Sequence, residues 1–203
     1  MESEFTRDDV EILEKRTVFQ GFFRILRYRL RHRLFRGGMG PVLTRELFDR
    51  GHSVAVLPYD PRADAVVLLR QFRVGALDGP GSPWLLEIIA GAMEDGESAE
   101  EVARREALEE AGCTLQALEP ICSYWVSPGG ASERVHLYCG HVDSRGLGGI
   151  HGLDEEGEDI EARVVTATEA FALLDQGRLD NAPTMIAMQW LMRHREDLRR
   201  RWG

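Results

Sequence analysis

The stretch GAMEDGESAEEVARREALEEAGC, residues 91–113, decides the reading of this chain. Its middle carries the boundary signals of a helix: Ser98 as N-cap, Glu101 three residues on to complete a capping box, and Gly112 as the stop. At about 100° per residue, Glu106 and Glu110 project in line with Ala99, Val102 and Ala103, and Glu109 flanks that stripe. Glu100, Glu101, Arg104 and Arg105 take the outer face. A solvated charge run should lie opposite the apolar stripe, whereas these carboxylates extend it. Facing inward, they repel one another and lose hydration, so a positive group belongs among them. Hard oxygen ligands suit magnesium or manganese, which commonly bridge carboxylates and substrate phosphates.

Working outward, HSVAVLPY (52–59) and AVVLLRQFRV (65–74) flank an Asp-Pro-Arg-Ala-Asp turn and read as a hairpin, followed by a strand at WLLEIIA (84–90). Further strands are expected near 119–126, 134–142 and 161–166. Helices are expected at 98–111, 167–176 and 183–200, the last introduced by Asn181 with Pro183 in its first turn. Strand runs mixed with three helices, without a regular βαβ repeat, predict an α/β sandwich. RILRYRLRHRLFR (24–36) alternates arginine with Tyr28, Leu30, His32 and Leu34, the pattern of a half-buried strand. Its arginine face could meet nucleic acid or an acidic lipid surface, but a solvated or edge-protecting face is the preferred reading. Residues 1–48 thus read as a small β-rich unit, and a second series of strands with the three helices follows at 49–203.

Bulk properties narrow the class. The chain has 203 residues, 43% of them hydrophobic, and a formal charge of −9, which argues against a dedicated nucleic-acid binder. The acidic opening has no apolar leader and no later stretch approaches a membrane span, so a cytoplasmic protein is expected. Cys113, Cys122 and Cys139 are odd in number, lack metal-site spacing, and read as reduced core residues. The six histidines, His151 among them, read as surface or packing residues, because none has a convincing ligand spacing.

Gly91, Glu97, Arg105, Glu106, Glu109, Glu110 and Gly112 match the spacing of the Nudix box, G-x5-E-x7-R-E-U-x-E-E-x-G-U, at every polar and glycine position. Ala107 and Cys113 hold its apolar positions. The chain therefore resembles the Nudix hydrolases, which implies an α/β/α sandwich with, in the branch described next, a small N-terminal antiparallel β domain. The resemblance implies metal ligation by Glu106, Glu109, Glu110 and the carbonyl of Ala90, with Arg105 as a charge partner that orients Glu109. VSPGGASER (126–134) and the acidic run IHGLDEEGEDI (150–160) resemble the bacterial ADP-ribose pyrophosphatase branch. That similarity implies Glu156 as general base, with Glu155 and Glu158 as rivals, and Glu158 as a further metal ligand. It implies substrate contacts from Phe22 or its neighbour Phe23, and from Arg45, Arg73, Ala92, Ser127, Pro128, Gly129 and Glu133. It also implies a homodimer whose active site is shared between subunits, with an exchanged N-terminal strand region, and two or more magnesium ions per site, manganese being the alternative. The expected reaction is hydrolysis of ADP-ribose to AMP and ribose 5-phosphate. The alternatives are a hydrolase of GDP-mannose or other nucleotide sugars, and a non-catalytic ADP-ribose sensor.

Overall fold

A computed structural model describes residues 5–203, and residues 1–4 of the acidic opening lie outside it. The chain divides into two compact units, one formed by the segment up to His52 with Trp125–Arg134, the other by Ser53–Tyr124 with Val135–Gly203.

The first unit is built on a three-stranded antiparallel sheet: β1 (Val10–Gln20), β2 (Arg24–His32) and β3 (Leu43–Asp49), in that spatial order. The arginine strand is its centre. Its cations meet acids from both neighbours: Arg31 pairs with Glu11 and Arg29 with Glu14 on β1, Arg27 with Glu46 and Arg24 with Asp49 on β3. These pairs follow the strand register, in which Glu11 lies opposite Arg31 and Glu46 opposite Arg27. The arginine row is thus neutralised within its own sheet.

The second unit is the sandwich. Its strands are β4 (Ser53–Asp60), β5 (Ala65–Phe72), β6 (Trp84–Glu87), β7 (Ile89–Ala92), β8 (Ala117–Trp125), β9 (Arg134–His141), β10 (Gly149–His151) and β11 (Ile160–Thr166). Its helices are α1 (Ala99–Ala111), α2 (Ala167–Asp175) and α3 (Ala182–Trp202). The sheet runs β10-β11-β5-β4-β9-β8, and only the β4–β9 pair among the registered pairs is parallel. β4 and β5 pair only next to their turn, at Tyr59 with Val66 and Asp60 with Ala65. Beyond that they diverge, and the expected single strand 84–90 fills the gap as two pieces, β6 on β5 and β7 on β4. The break has a local cause: the amide of Ile88 donates to the hydroxyl of buried Thr184 on α3 rather than to a strand partner.

Period-two alternation in β4 and β5 supplies both cores. Val54, Val56, Val67 and Leu69 face α1 and pack with Val102, Ala103, Ala107 and Ala111. Ala55, Leu57, Tyr59, Val66 and Leu68 face α2 and α3 and pack with Ala170, Met188, Leu191 and Leu198. The small residues on α1, including Ala107 in an apolar box position, bring the helix close to the sheet. Cys113 and Cys139 are buried as expected, whereas Cys122 is exposed on β8, because its position falls on the outward phase of that strand. Among the described residues no helix is long and apolar enough to cross a membrane.

Candidate active site

The glutamates of α1 are held by the segment that precedes the helix. Ser98 and Glu101 form the reciprocal capping box, and Gly112 ends the helix in the left-handed region at φ 61°. With its start and end fixed, α1 directs Glu106 and Glu110 toward β7. The carboxylate of Glu106 occupies the space above Gly91: a Cβ there would sit 1.7 Å from its Oε1. The opening glycine of the box is therefore a cradle for a glutamate head group.

Glu110 is only 3% exposed, and the amide of Ala90 donates to its Oε2 at 2.9 Å. Its pKa is raised to about 8, chiefly by burial and in part by nearby Glu106 and Glu158, against the opposing effect of that hydrogen bond. The pKa of Glu106 is raised for the same leading reason, desolvation, with Glu109 and Glu158 adding to it. In an extended strand a residue's N–H and C=O project to the same side. The carbonyl of Ala90 thus faces the side on which its amide meets Glu110.

Arg105 is the brace of this group. Its guanidinium reaches Glu97 at 3.2 Å, Glu106 at 2.8 Å and Glu109 at 3.2 Å, and its Nη2 donates to the carbonyl of Ala92 at 3.5 Å. The expected link to Glu109 is present, but Glu101, its other helical neighbour, is committed to the capping box instead. Glu97 takes that place and is held below the ordinary carboxylate range, first by its hydrogen bond to Arg105 and then by the amide of Glu94.

Among the described residues no three His, Cys, Asp or Glu side chains converge in a ready metal-binding geometry. The donor set nevertheless fits a hard divalent cation. Glu110 is a buried carboxylate with no ion-pair partner within reach among the described residues, and Glu106 lies in a cradle cleared for it. Glu158 acts on both electrostatically. Glu156 is exposed on the same short loop, which closes when the amides of Glu156 and Glu158 donate to the carbonyl of Leu153 at 3.0 and 3.2 Å. Arg73, just after β5, also acts on Glu110 and is anchored to Glu87 at 2.7 Å. Glu87 in turn accepts from Asn181, the N-cap of α3, at 2.8 Å. Sequence reading passed over Glu87 and Thr184, since neither belongs to a motif and both act through partners distant in the chain.

The remaining expected contacts lie in the first unit. Ser127 starts a turn whose carbonyl accepts from the amides of Gly130 and Ala131, and the turn joins β3 through Phe48 and Gly130. Pro128 and Gly129 form its tip, while Glu133 is buried and pairs with Arg50 at 3.4 Å. Arg45 is exposed on β3. Phe23 packs edge-on against Phe48 and lies beneath Arg50, whereas Phe22 is 95% exposed.

Comparison with known proteins agrees with this arrangement. Residues 49–188 match the NUDIX domain. The chain is 48% identical over 199 residues to the ADP-ribose pyrophosphatase of Escherichia coli (strain K12), covering 98% of this chain and 95% of that protein. It is 33% identical to the GDP-mannose pyrophosphatase of Pectobacterium atrosepticum, covering 89% and 92% respectively. A crystal structure of an ADP compounds hydrolase superposes with a TM-score of 0.67 at 21% identity, over 92% of this chain and 96% of the other, which bears on the fold.

Proposed function

The chain belongs to the NUDIX domain family, and from that membership we propose that it hydrolyses the diphosphate bond of ADP-ribose, releasing AMP and ribose 5-phosphate. The observation that carries this reading is the pairing of Glu106, cradled over Gly91, with buried Glu110, in a chain similar over nearly its whole length to a protein named for that reaction. Glu106, Glu109, Glu110, Glu158 and the carbonyl of Ala90 would hold the magnesium or manganese ions, two or more per site. Such ions, when bound, neutralise the diphosphate oxygens and stabilise the leaving oxygen.

The residues of the chain supply the rest. Arg105 keeps Glu106 and Glu109 oriented while their charges remain mutually repulsive. Glu156, exposed and free to meet solvent, accepts the proton of the attacking water. Arg73 offers a guanidinium to the phosphates, its Nε held by Glu87 so that the fork is already directed. Ala92 contributes backbone contacts near the box. Phe22, Arg45, Ser127, Pro128, Gly129 and Glu133 enter as substrate contacts on the strength of the family resemblance. The aromatic contact is assigned to Phe22 rather than Phe23, because the Phe23 ring is already engaged by Phe48 and Arg50. We read the first unit as the dimerisation domain, with Phe22 delivered from the partner subunit, and the setting as cytoplasmic.

The deciding experiment is a substrate panel with magnesium. The expected result is a higher kcat/KM for ADP-ribose than for GDP-mannose, with AMP and ribose 5-phosphate as products. Preference for GDP-mannose would leave the reaction class and remove the substrate. Tight ADP-ribose binding without any magnesium-dependent product would identify a sensor instead.

A further inference from the structure

We propose that His151 is a positioning residue, whose ring, seated on the bare face of Gly112, fixes the acidic loop 153–158 against the last turn of α1. The proposal rests on the reading that this loop supplies the base of the reaction.

Gly112 has two reasons to be glycine. Its φ of 61° is one, since a left-handed helix end favours a residue without a Cβ. The other is occupancy: a Cβ there would lie 3.0 Å from Cε1 of His151 and 3.6 Å from its Nδ1. The ring therefore lies directly over the end of α1. Its Nε2 donates to the carbonyl of Gly148 at 3.2 Å, a carbonyl being able only to accept. His151 is also the last residue of β10, in register with Ile160 of β11. Strand pairing, ring packing and hydrogen bond together leave the side chain little choice of position.

The next residue repeats the attachment through the backbone. The amide of Gly152 donates to the carbonyl of Glu109 at 3.2 Å, satisfying one of the carbonyls that a helix leaves open in its last turn. That carbonyl belongs to a residue whose side chain is a candidate ligand. Gly152 also has φ 102°, and a Cβ on it would come within 2.6 Å of the Cβ of Glu158. Beyond this stem the loop closes on itself, the amide of Leu153 donating to Oε2 of Glu158 at 3.2 Å and the amide of Glu158 to the carbonyl of Leu153. A loop so closed moves as one piece. Where the stem stands relative to α1 therefore sets where Glu156 and Glu158 stand.

Misplacement of a reacting group by about 1 Å costs on the order of 10²-fold in rate. The test compares His151→Ala, His151→Phe and Glu156→Gln in the full-length protein, by hydrogen exchange without metal and by steady-state kinetics with magnesium and ADP-ribose. In His151→Ala, amides 152–158 should exchange faster while those of Val102–Leu108 are unchanged, and kcat should fall by roughly 10- to 100-fold with KM nearly constant. His151→Phe keeps a flat ring over Gly112 without the bond to Gly148, so it should recover part of both losses. Unchanged exchange at 152–158 overturns the proposal. So does accelerated exchange throughout α1, which would make His151 an ordinary packing residue, and so does a loss confined to KM. If Glu156→Gln keeps full activity while His151→Ala shows both expected effects, the base has been misassigned and the positioning role stands. If ADP-ribose is not turned over at all, the exchange result alone decides.

Discussion

A Cβ on Gly91 would lie 1.7 Å from Oε1 and 2.0 Å from Cδ of Glu106, so the two residues cannot both keep their places if position 91 gains a side chain. The conflict falls on the far end of a flexible glutamate, which can swing away at small cost to the fold. Gly91→Ala should therefore lower kcat by at least about 10²-fold, the scale of a lost catalytic contact. Its melting temperature should stay within about 4 °C of the parent, the effect of roughly 1 kcal/mol or less. Calorimetry and kinetics on one preparation check it. A variant with normal kcat would mean that the Glu106 carboxylate has no need of the cradle.

That relation also marks how far sequence carries. Spacing alone placed Glu106 and Glu110 on the inward stripe of α1 and predicted all three helices to within two residues at each end. The apolar runs at 52–59 and 65–74 with the turn between them announced β4 and β5, because turn chemistry and apolar content are local properties of the chain. The reason for Gly91 was not legible, since it depends on a side chain that reaches back from the helix to the strand. Nor was the division of 84–90 into β6 and β7, which turns on the hydroxyl of Thr184. The arginine row of β2 was rightly assigned no ligand, but the acids that meet it in register from β1 and β3 were not legible, and β1 itself had no strong alternation to announce it. The link from Arg105 to Glu109 was foreseen, but its reach back to Glu97 ahead of the helix was not. Tertiary partners decided each of these.

Acid sensitivity should trace to Asp64. This residue closes the β4–β5 turn at φ 52°, accepts from Tyr59 at 2.8 Å, and is gripped by Arg195 of α3, with Arg199 at 3.7 Å. The Arg195 hydrogen bond, opposed by burial and assisted by Tyr59, holds its pKa below the ordinary 3.8. A folded-state pKa below the unfolded value means that the contribution is present above about pH 4 and is lost as pH falls through the folded value. Asp64→Asn keeps a residue tolerant of the left-handed backbone but removes the charge. It should cost about 1–3 kcal/mol at neutral pH and flatten the acid limb of stability below about pH 4. Urea unfolding of both proteins between about pH 2 and 7 checks this. Parallel curves would show that the acid limb belongs to other carboxylates.

The two adjacent phenylalanines should part company. Phe22 is 95% exposed and Phe23 36%, the latter packed against Phe48 at 5.1 Å between ring centroids. Phe22→Ala should raise KM for ADP-ribose by roughly 10-fold, the worth of about 1.4 kcal/mol of stacking, with the melting temperature almost unchanged. Phe23→Ala should lower the melting temperature by several degrees through lost packing. If Phe22→Ala leaves KM unaltered, the aromatic contact lies elsewhere.

Glu156 and Glu158 stand two residues apart on one closed loop, and the charge of Glu158 helps to raise the pKa of both Glu106 and Glu110. Glu156 is exposed and makes no side-chain hydrogen bond among the described residues. A group that must take a proton from water needs access to it, whereas a group that helps to hold cations needs to stand beside other carboxylates. Glu156→Gln should thus lose about 10² to 10⁴ in kcat at saturating magnesium, with KM for ADP-ribose little altered. Glu158→Gln should instead shift the magnesium dependence to higher concentration and regain much of its rate when the ion is raised. It also loses the charge that accepts from the amide of Leu153, so incomplete recovery is expected even then. Magnesium titrations of kcat for the two variants separate the roles. The opposite pattern, with Glu156→Gln rescued by magnesium and Glu158→Gln not, would exchange the assignments and make the less exposed acid the base.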